Sequence, residues 1–127
     1  MGIPRYLAGS FTPEGFNNLY KQAYDNLLPG GWIEHTDTEI GMHCDDGSLP
    51  TDSVVATHGD RFLKCGERAG MPLDTIDHME TRIKAAGFHN VHVQDYKIPI
   101  GSWPKHPILK DCGRVKVKEV LAGIEGW

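Results

Sequence analysis

Apolar residues recur at intervals of three and four in several stretches of the chain, and the first of these runs from Thr12 to Leu27. Thr12 supplies a hydroxyl N-cap, Pro13 suits the first helical position, and Glu14 places a carboxylate in the first turn. The pattern predicts a helix of about four turns with one buried face. The apolar stripe on that face consists of Phe16, Leu19, Tyr20, Ala23, Tyr24 and Leu27.

Three further helices are predicted from the same kind of signal. The second extends from Asp52 or Ser53 to about Ala69, before a glycine suited to a helix end. The third begins at Asp74 or Thr75 and ends near Gly87. The last opens at Pro107 and carries apolar residues towards the end of the chain.

Strand patterns lie between the helices. Gly31 to Asp37 begins apolar and ends polar, and Val91 to Ile100 alternates in two phases that suggest a bend near Asp95. Ile3 to Leu7 has the pattern of the tail of a strand. A Pro-Gly-Gly turn at residues 29–31 joins the first helix to the first strand. The order helix, tight turn, strand predicts an α/β fold.

Composition narrows the class of protein. The 127 residues carry a net charge of −4, and no basic stretch alternates with aromatic residues, so we expect no nucleic-acid interface. No apolar run approaches the length of a membrane span, and we expect neither a membrane partner nor a secretory signal. Three widely spaced cysteines fit reduced thiols, which predicts a cytoplasmic or nuclear location.

A metal site is suggested by composition at His43, Cys44, Asp45 and Asp46. Adjacent side chains cannot all point at one ion, and no second ligand pair has a known zinc spacing. The following Gly-Ser-Leu-Pro favours a turn. We therefore predict no metal site and no cysteine nucleophile.

Five motifs, in order along the chain, resemble one family. They are RYLAGS at 5–10, PGGWIE at 29–34, DDGSLP at 45–50, AAGF at 85–88 and PIGSWPK at 99–105. Together they resemble the LaeA-like group of fungal class I S-adenosylmethionine-dependent methyltransferases, which includes regulators and enzymes of secondary metabolism.

The resemblance implies a fold and a limit. The expected fold is a partial Rossmann-like class I methyltransferase sheet with flanking helices, formed by residues 1–127 as a single, incomplete domain. The resemblance implies S-adenosylmethionine as the cofactor. The family's Gly-rich loop and acidic ribose ligand have no counterpart here, so we expect weak or no binding of that cofactor by this chain alone. Two explanations stay open: a piece of a larger enzyme, or a short protein whose sheet is completed by a homodimer or a partner chain.

The resemblance also implies site residues, although no catalytic residue is assigned. The end of the predicted central strand faces the substrate cleft in this family. The aromatic side chain in the loop at residues 101–104 either covers a substrate pocket or caps a core. The expected substrate-binding residues are Glu34, His35, Asp37 and Trp103. The expected cofactor-binding residues follow the family's fourth strand and are Arg5, Tyr6 and Leu7.

The implied function is methyl transfer to a small-molecule substrate or a protein in fungal secondary metabolism. Catalysis in such a site rests mostly on proximity and alignment, with an optional general base. The alternative is a methyltransferase-like cyclase or a binding or scaffold protein that transfers no methyl group.

Overall fold

A computed structural model describes residues 2–124, and its regular elements are four helices. The prediction of four helices at these places is confirmed. The bounds of the helices are α1 Pro13–Asn26, α2 Val54–Ala69, α3 Thr75–Ala85 and α4 Pro107–Ile124. No helix within residues 2–124 combines the length and the apolar composition needed to cross a bilayer.

Local capping explains where the helices begin and end. Thr12 Oγ accepts a hydrogen bond from the Gly15 N–H at 3.1 Å, so the predicted N-cap of α1 is confirmed. Ser53 Oγ accepts from the Ala56 N–H at 3.1 Å at the start of α2. Gly70 ends α2 in the left-handed conformation, with φ +69° and its N–H on the Glu67 carbonyl.

The predicted Rossmann-like α/β sheet is wrong for this structure. Within residues 2–124, the predicted strands at 31–37 and 91–100 and the strand tail at 3–7 form no strand or sheet. Two isolated parallel bridges remain, from Gly2 to Ile33 and from Arg5 to Thr36. A sheet needs several strands with continuous ladders, and these two bridges do not supply one.

Proline at position 4 is the physical reason that the bridges stay isolated. The Gly2 N–H donates to Trp32 O at 3.2 Å, and the Tyr6 N–H donates to Thr36 O at 3.0 Å. In a continuous parallel ladder, the residue midway between Gly2 and Tyr6 would donate to the carbonyl of Glu34. Pro4 has no N–H, so that bond is missing and the ladder is interrupted.

Two compact units divide the chain, Met1–His92 and Val93–Trp127. The single-domain interpretation of residues 1–127 stays a prediction. In the first unit, Phe16 and Tyr20 of α1 and Ile83 of α3 form a small buried core, because α1 and α3 pack together. Partly buried side chains surround it: Leu7, Phe11, Leu19, Ile33, Met79, Ala86, Phe88 and Val91.

The second unit contains α4 and the loop before it. The Gly101 N–H donates to Gly113 O at 3.2 Å, which ties the loop to the helix. The approach requires glycine on α4, because a Cβ at Gly113 would lie 1.9 Å from Gly101 O. Gly101 itself has φ +138°, a conformation that other residues rarely adopt.

Candidate functional site

A buried polar chain of three side chains lies beside the core of the first unit. Tyr20 Oη and His35 Nδ1 are 2.6 Å apart, and His35 Nε2 is 3.4 Å from Asp37 Oδ2. The side chains of His35 and Asp37 are 0% and 1% exposed, and Tyr20 is 0% exposed. The arrangement places a phenol, an imidazole and a carboxylate in sequence, out of contact with solvent.

Local geometry accounts for this grouping. Tyr20 lies one helical turn after Phe16 on α1, so both face the same side of the helix. In the segment after the Pro-Gly-Gly turn, His35 and Asp37 are two residues apart and both project inwards, while Glu34 projects to solvent. The Phe16 and His35 rings stack with centroids 6.4 Å apart. Side chains therefore alternate between the interior and solvent in this segment, as they do in extended backbone.

Burial sets the protonation of the chain. It lowers the pKa of His35 below the ordinary value, and the nearby Asp37 carboxylate opposes part of that change. His35 is therefore neutral at pH 7, with its proton assigned to Nε2, which lies 3.4 Å from the carboxylate without forming a hydrogen bond. The Tyr20 hydroxyl then donates to Nδ1. Burial raises the pKa of Tyr20 to about 12, with the positive charge of Arg82 opposing the rise.

Asp37 connects this chain to the N-terminal segment. Its Oδ2 accepts a hydrogen bond from the Leu7 N–H at 3.0 Å, and its Oδ1 accepts from the Thr38 N–H at 2.9 Å. The first of these bonds spans 30 residues. It fixes the backbone just after Tyr6, so the buried carboxylate positions the segment from Arg5 to Leu7.

That segment holds the residues predicted to bind the cofactor. Arg5 is exposed and pairs with Glu34, with Nη2 and Oε1 3.3 Å apart. Tyr6 has φ +53°, uncommon for a residue with a side chain, and is 67% exposed. Leu7 packs partly against the core. The structure thus brings Arg5 next to Glu34 and leaves the Tyr6 ring in solvent.

The predicted substrate-binding residues are not all grouped. Glu34, His35 and Asp37 share one segment of the first unit, with Glu34 exposed and the other two side chains buried. Trp103 belongs to the second unit and is 74% exposed. The substrate-binding role of these residues stays a prediction.

The polar contacts of two residues at the site, Tyr20 and Arg82, are not predicted by the sequence. Tyr20 was predicted to be a core residue, and its hydroxyl partner is 15 residues away. Arg82 lies with its guanidinium carbon 5.5 Å from the centre of the Phe16 ring, and its Nη1 is buried without a hydrogen-bond partner. The spacing of neither residue along the chain signals these contacts.

The turn at residues 43–48 is held by its own side chains. Asp46 Oδ1 accepts from Cys44 Sγ and from the Ser48 N–H, each at 2.9 Å. The hydrogen bond from Cys44, followed by those from Ser48, lowers the pKa of Asp46 to about 2. Among residues 2–124, no three His, Cys, Asp or Glu side chains are grouped as a metal ion would require.

A cavity of about 210 Å³ lies between α2, the start of α3 and residues 39–43. Its walls include apolar side chains such as Ile40 and Leu63. The charged groups that line it are all acidic or imidazole: Glu39, His43, Asp60, Asp74 and Asp77. Neither Arg5 nor Tyr6 lines this cavity.

Three relatives show what the chain is similar to. Methyltransferase pytC of Aspergillus terreus is 37% identical over 123 residues, which is 97% of this chain and 37% of that protein. Secondary metabolism regulator LAE1 of Cochliobolus heterostrophus is 33% identical over 113 residues, 88% of this chain and 37% of the relative. Probable methyltransferase tdiE of Emericella nidulans is 31% identical over 107 residues, which is 84% of this chain and 34% of that protein.

The matches cover different shares of this chain and of its relatives. They cover most of this chain, which spans 37% or less of the length of these three relatives. No family model matches the chain, and no solved structure matches it significantly.

Proposed function

This chain belongs to the family of fungal methyltransferases and LaeA-type regulators of secondary metabolism, and we propose that it takes part in S-adenosylmethionine-dependent methyl transfer. The observation that carries the proposal is the identity shared with methyltransferase pytC across 97% of this chain. The proposed acceptor is a small molecule or a protein of that metabolism. The proposed location is the cytoplasm or the nucleus.

Within this proposal, Arg5 and Tyr6 contact the cofactor. The conformation of the segment supports this assignment. Tyr6 is held at φ +53° with an exposed ring, and Asp37 anchors the next residue through the Leu7 N–H. Backbone strain of this kind is concentrated at ligand sites. Leu7 then serves the site by packing on the core beneath the exposed pair.

The substrate side of the proposal assigns different roles to the predicted residues. Glu34 is exposed and contacts the acceptor, while Trp103 offers an exposed aromatic face in the other unit. His35 and Asp37 are enclosed, so their proposed role is to position the Arg5–Leu7 segment.

The residues of this chain provide an exposed contact for the cofactor rather than an enclosed pocket. Arg5 and Tyr6 are both open to solvent, and a ligand of this size is normally enclosed over most of its surface. When bound in a methyltransferase, S-adenosylmethionine supplies the methyl group. We therefore propose weak binding by this chain alone, with a dissociation constant of about 1 mM or above.

A titration followed by NMR tests the assignment. S-adenosylmethionine added to ¹⁵N-labelled protein should shift the amide signals of Arg5, Tyr6 and Leu7 selectively, and Tyr6→Ala should remove the shifts. Tyr96→Ala is the matched control, because Tyr96 is exposed in the other unit. Absence of any localised shift would overturn the cofactor role and favour a non-methylating cyclase or a binding protein. Micromolar affinity would contradict the weak binding.

Association with a second copy or with a partner chain is also proposed. It is supported by large apolar side chains that are open to solvent, including Leu28 at 82% exposure and Ile108 at 66%. Sedimentation at micromolar concentration should show species heavier than the 14.1 kDa monomer. A single monomeric species over that range would contradict self-association.

A further inference from the structure

A groove of about 580 Å³ follows the packed pair of helices α1 and α3. It is separate from the buried chain of Tyr20, His35 and Asp37, none of which lines it. Its polar lining comes from both helices, and two alanines of α3 complete the wall. The polar residues that line it are Asn17, Asn18, Lys21, His78, Thr81 and Arg82.

The charges of this groove have one sign. Lys21 and Arg82 are cations, and no carboxylate is among the residues that line it. The chain as a whole carries 17 acidic and 13 basic residues. The cavity of about 210 Å³ described above has the opposite character, with four carboxylates and no Lys or Arg. Opposite charges are thus sorted to two different surfaces of the same unit.

Arg82 lines this groove, and one of its guanidinium nitrogens is buried without a partner. Its Nη1 is buried and has no hydrogen-bond partner, although buried N–H groups are almost always paired. Its guanidinium is held against the Phe16 ring, which restricts its position. A guanidinium presents several N–H donors in a planar fork that matches the oxygens of carboxylate and phosphate groups.

Further hydrogen-bond donors from both helices line the same groove. Asn17, Asn18 and Lys21 lie within about one turn of α1, and Thr81 precedes Arg82 on α3. Lys21 is ion-paired with Asp25 in the next turn, so a bound anion competes with that carboxylate for the Lys21 ammonium. His78 pairs with Asp74, with Nε2 and Oδ2 3.1 Å apart, so it is also engaged by a carboxylate.

We propose that this groove binds a small organic anion through its carboxylate or phosphate group. Arg82 and Lys21 hold the oxygens of that group, and the asparagine amides and the Thr81 hydroxyl bond to the remaining polar atoms. The groove exceeds the size of a bare oxyanion, so the body of the ligand lies along the two alanines of α3.

The test is an NMR titration with inorganic phosphate and, separately, with acetate, at an ionic strength held constant with sodium chloride. At least one anion should give saturable shifts at residues 17, 18, 81 and 82. Saturation by phosphate alone assigns a phosphate ligand, and saturation by acetate alone assigns a carboxylate. If neither anion gives saturable shifts up to about 100 mM, the proposal is wrong.

Variants separate a specific site from general charge attraction. Arg82→Gln should weaken binding by at least about fivefold, and Arg82→Lys, which keeps the charge but loses the fork, should weaken it less. Lys64→Gln is the matched control, because it removes one positive charge from α2 outside the groove. Equal losses in Arg82→Gln and Lys64→Gln would overturn the proposal.

Loss of packing is a separate effect of changing Arg82, because its guanidinium lies against Phe16. Lys21→Gln avoids that contact and should also weaken binding, by about twofold or more. Unfolding curves of all the variants establish that the protein titrated is folded. Unchanged affinity in folded Lys21→Gln and folded Arg82→Gln would contradict the assignment of the groove.

Discussion

Two segments without regular secondary structure, residues 32–37 and residues 93–100, differ in what they contact. The first exchanges backbone hydrogen bonds with the N-terminal segment and buries the side chains of His35 and Asp37. The second takes part in none of the isolated bridges found within residues 2–124. Pro99 is buried, but the larger apolar side chains of this segment are exposed, with Val93 at 55% and Ile98 at 48%.

Helices α1 and α4 show the same contrast. The 14 residues of α1 bury Phe16 and Tyr20 completely. In the 18 residues of α4, Ile108 is 66% exposed and Leu121 is 61% exposed. The difference teaches that apolar content alone does not bury a segment, because burial requires a complementary partner at the right place.

The largest expected effect tests the core of the first unit. Phe16→Ala removes a ring that is 0% exposed and should lower the free energy of unfolding by about 3–5 kcal/mol. The control is Ile108→Ala on α4, which should change it by at most about 0.5 kcal/mol. Urea denaturation measures both, and similar values for the two variants would remove the contrast between α1 and α4.

Asp37→Asn should have the next largest effect. It removes the charge that faces His35 and weakens the acceptor of the Leu7 N–H, so we expect a loss of about 1–3 kcal/mol. Asp25→Asn is the control at an exposed ion pair, with an expected loss of about 0–1 kcal/mol. Amide exchange at Leu7 should accelerate only in Asp37→Asn. Unchanged protection of that amide would show that Asp37 does not position the segment.

A matched pair of isoleucines compares the two segments directly. Ile33 packs against the core, and Ile33→Ala should cost about 1–2 kcal/mol. Ile98 is 48% exposed, and Ile98→Ala should cost less than about 1 kcal/mol. Chemical denaturation of both proteins gives the comparison. A larger loss in Ile98→Ala would mean that residues 93–100 are buried in the protein in solution.

The smallest expected effect is the pH dependence contributed by His35. Its pKa is lowered in the folded state by burial, so between that pKa and the ordinary value of 6.5 the unfolded chain binds more protons. The folded state is therefore most stable, as far as His35 is concerned, above about pH 6.5, and the free energy of unfolding decreases as the pH falls below that value. His35→Phe should flatten the dependence of unfolding free energy on pH in this range.

His89→Gln provides the control for that measurement, because His89 is exposed. Its variant should keep the pH dependence of the original protein. Direct NMR titration of the His35 ring gives the folded pKa independently. A pKa at or above 6.5 would contradict the assignment of a neutral, buried imidazole.

The helices were predictable because their signals lie within a few residues of each end. Thr12 and Ser53 cap α1 and α2 as hydroxyl acceptors, and Gly70 ends α2 in the left-handed conformation. The strands were predicted wrongly because a strand depends on partners that its own pattern does not specify. Pro4 shows how one residue elsewhere in the chain interrupts the pairing.

The candidate site was predicted in part. The polar end of residues 31–37 drew attention to Glu34, His35 and Asp37, and a two-residue period explains why Glu34 faces away from the other two. Which side became buried was decided by α1, which brings Tyr20 to His35. Nothing in the spacing of Arg82 signals its contact with Phe16, because a cation–π pair forms between separate helices.

The sequence by itself determined the helix ends, the turns and the family, since caps, turn residues and motifs are local and linear. Tertiary structure alone decided the enclosure of His35 and Asp37, the anchoring of Leu7 and the positive groove along α1 and α3. These features join residues far apart in the chain, such as Leu7 and Asp37. The enclosure of His35 and Asp37 depends on excluding water from both side chains at once, and only the packed chain satisfies that condition.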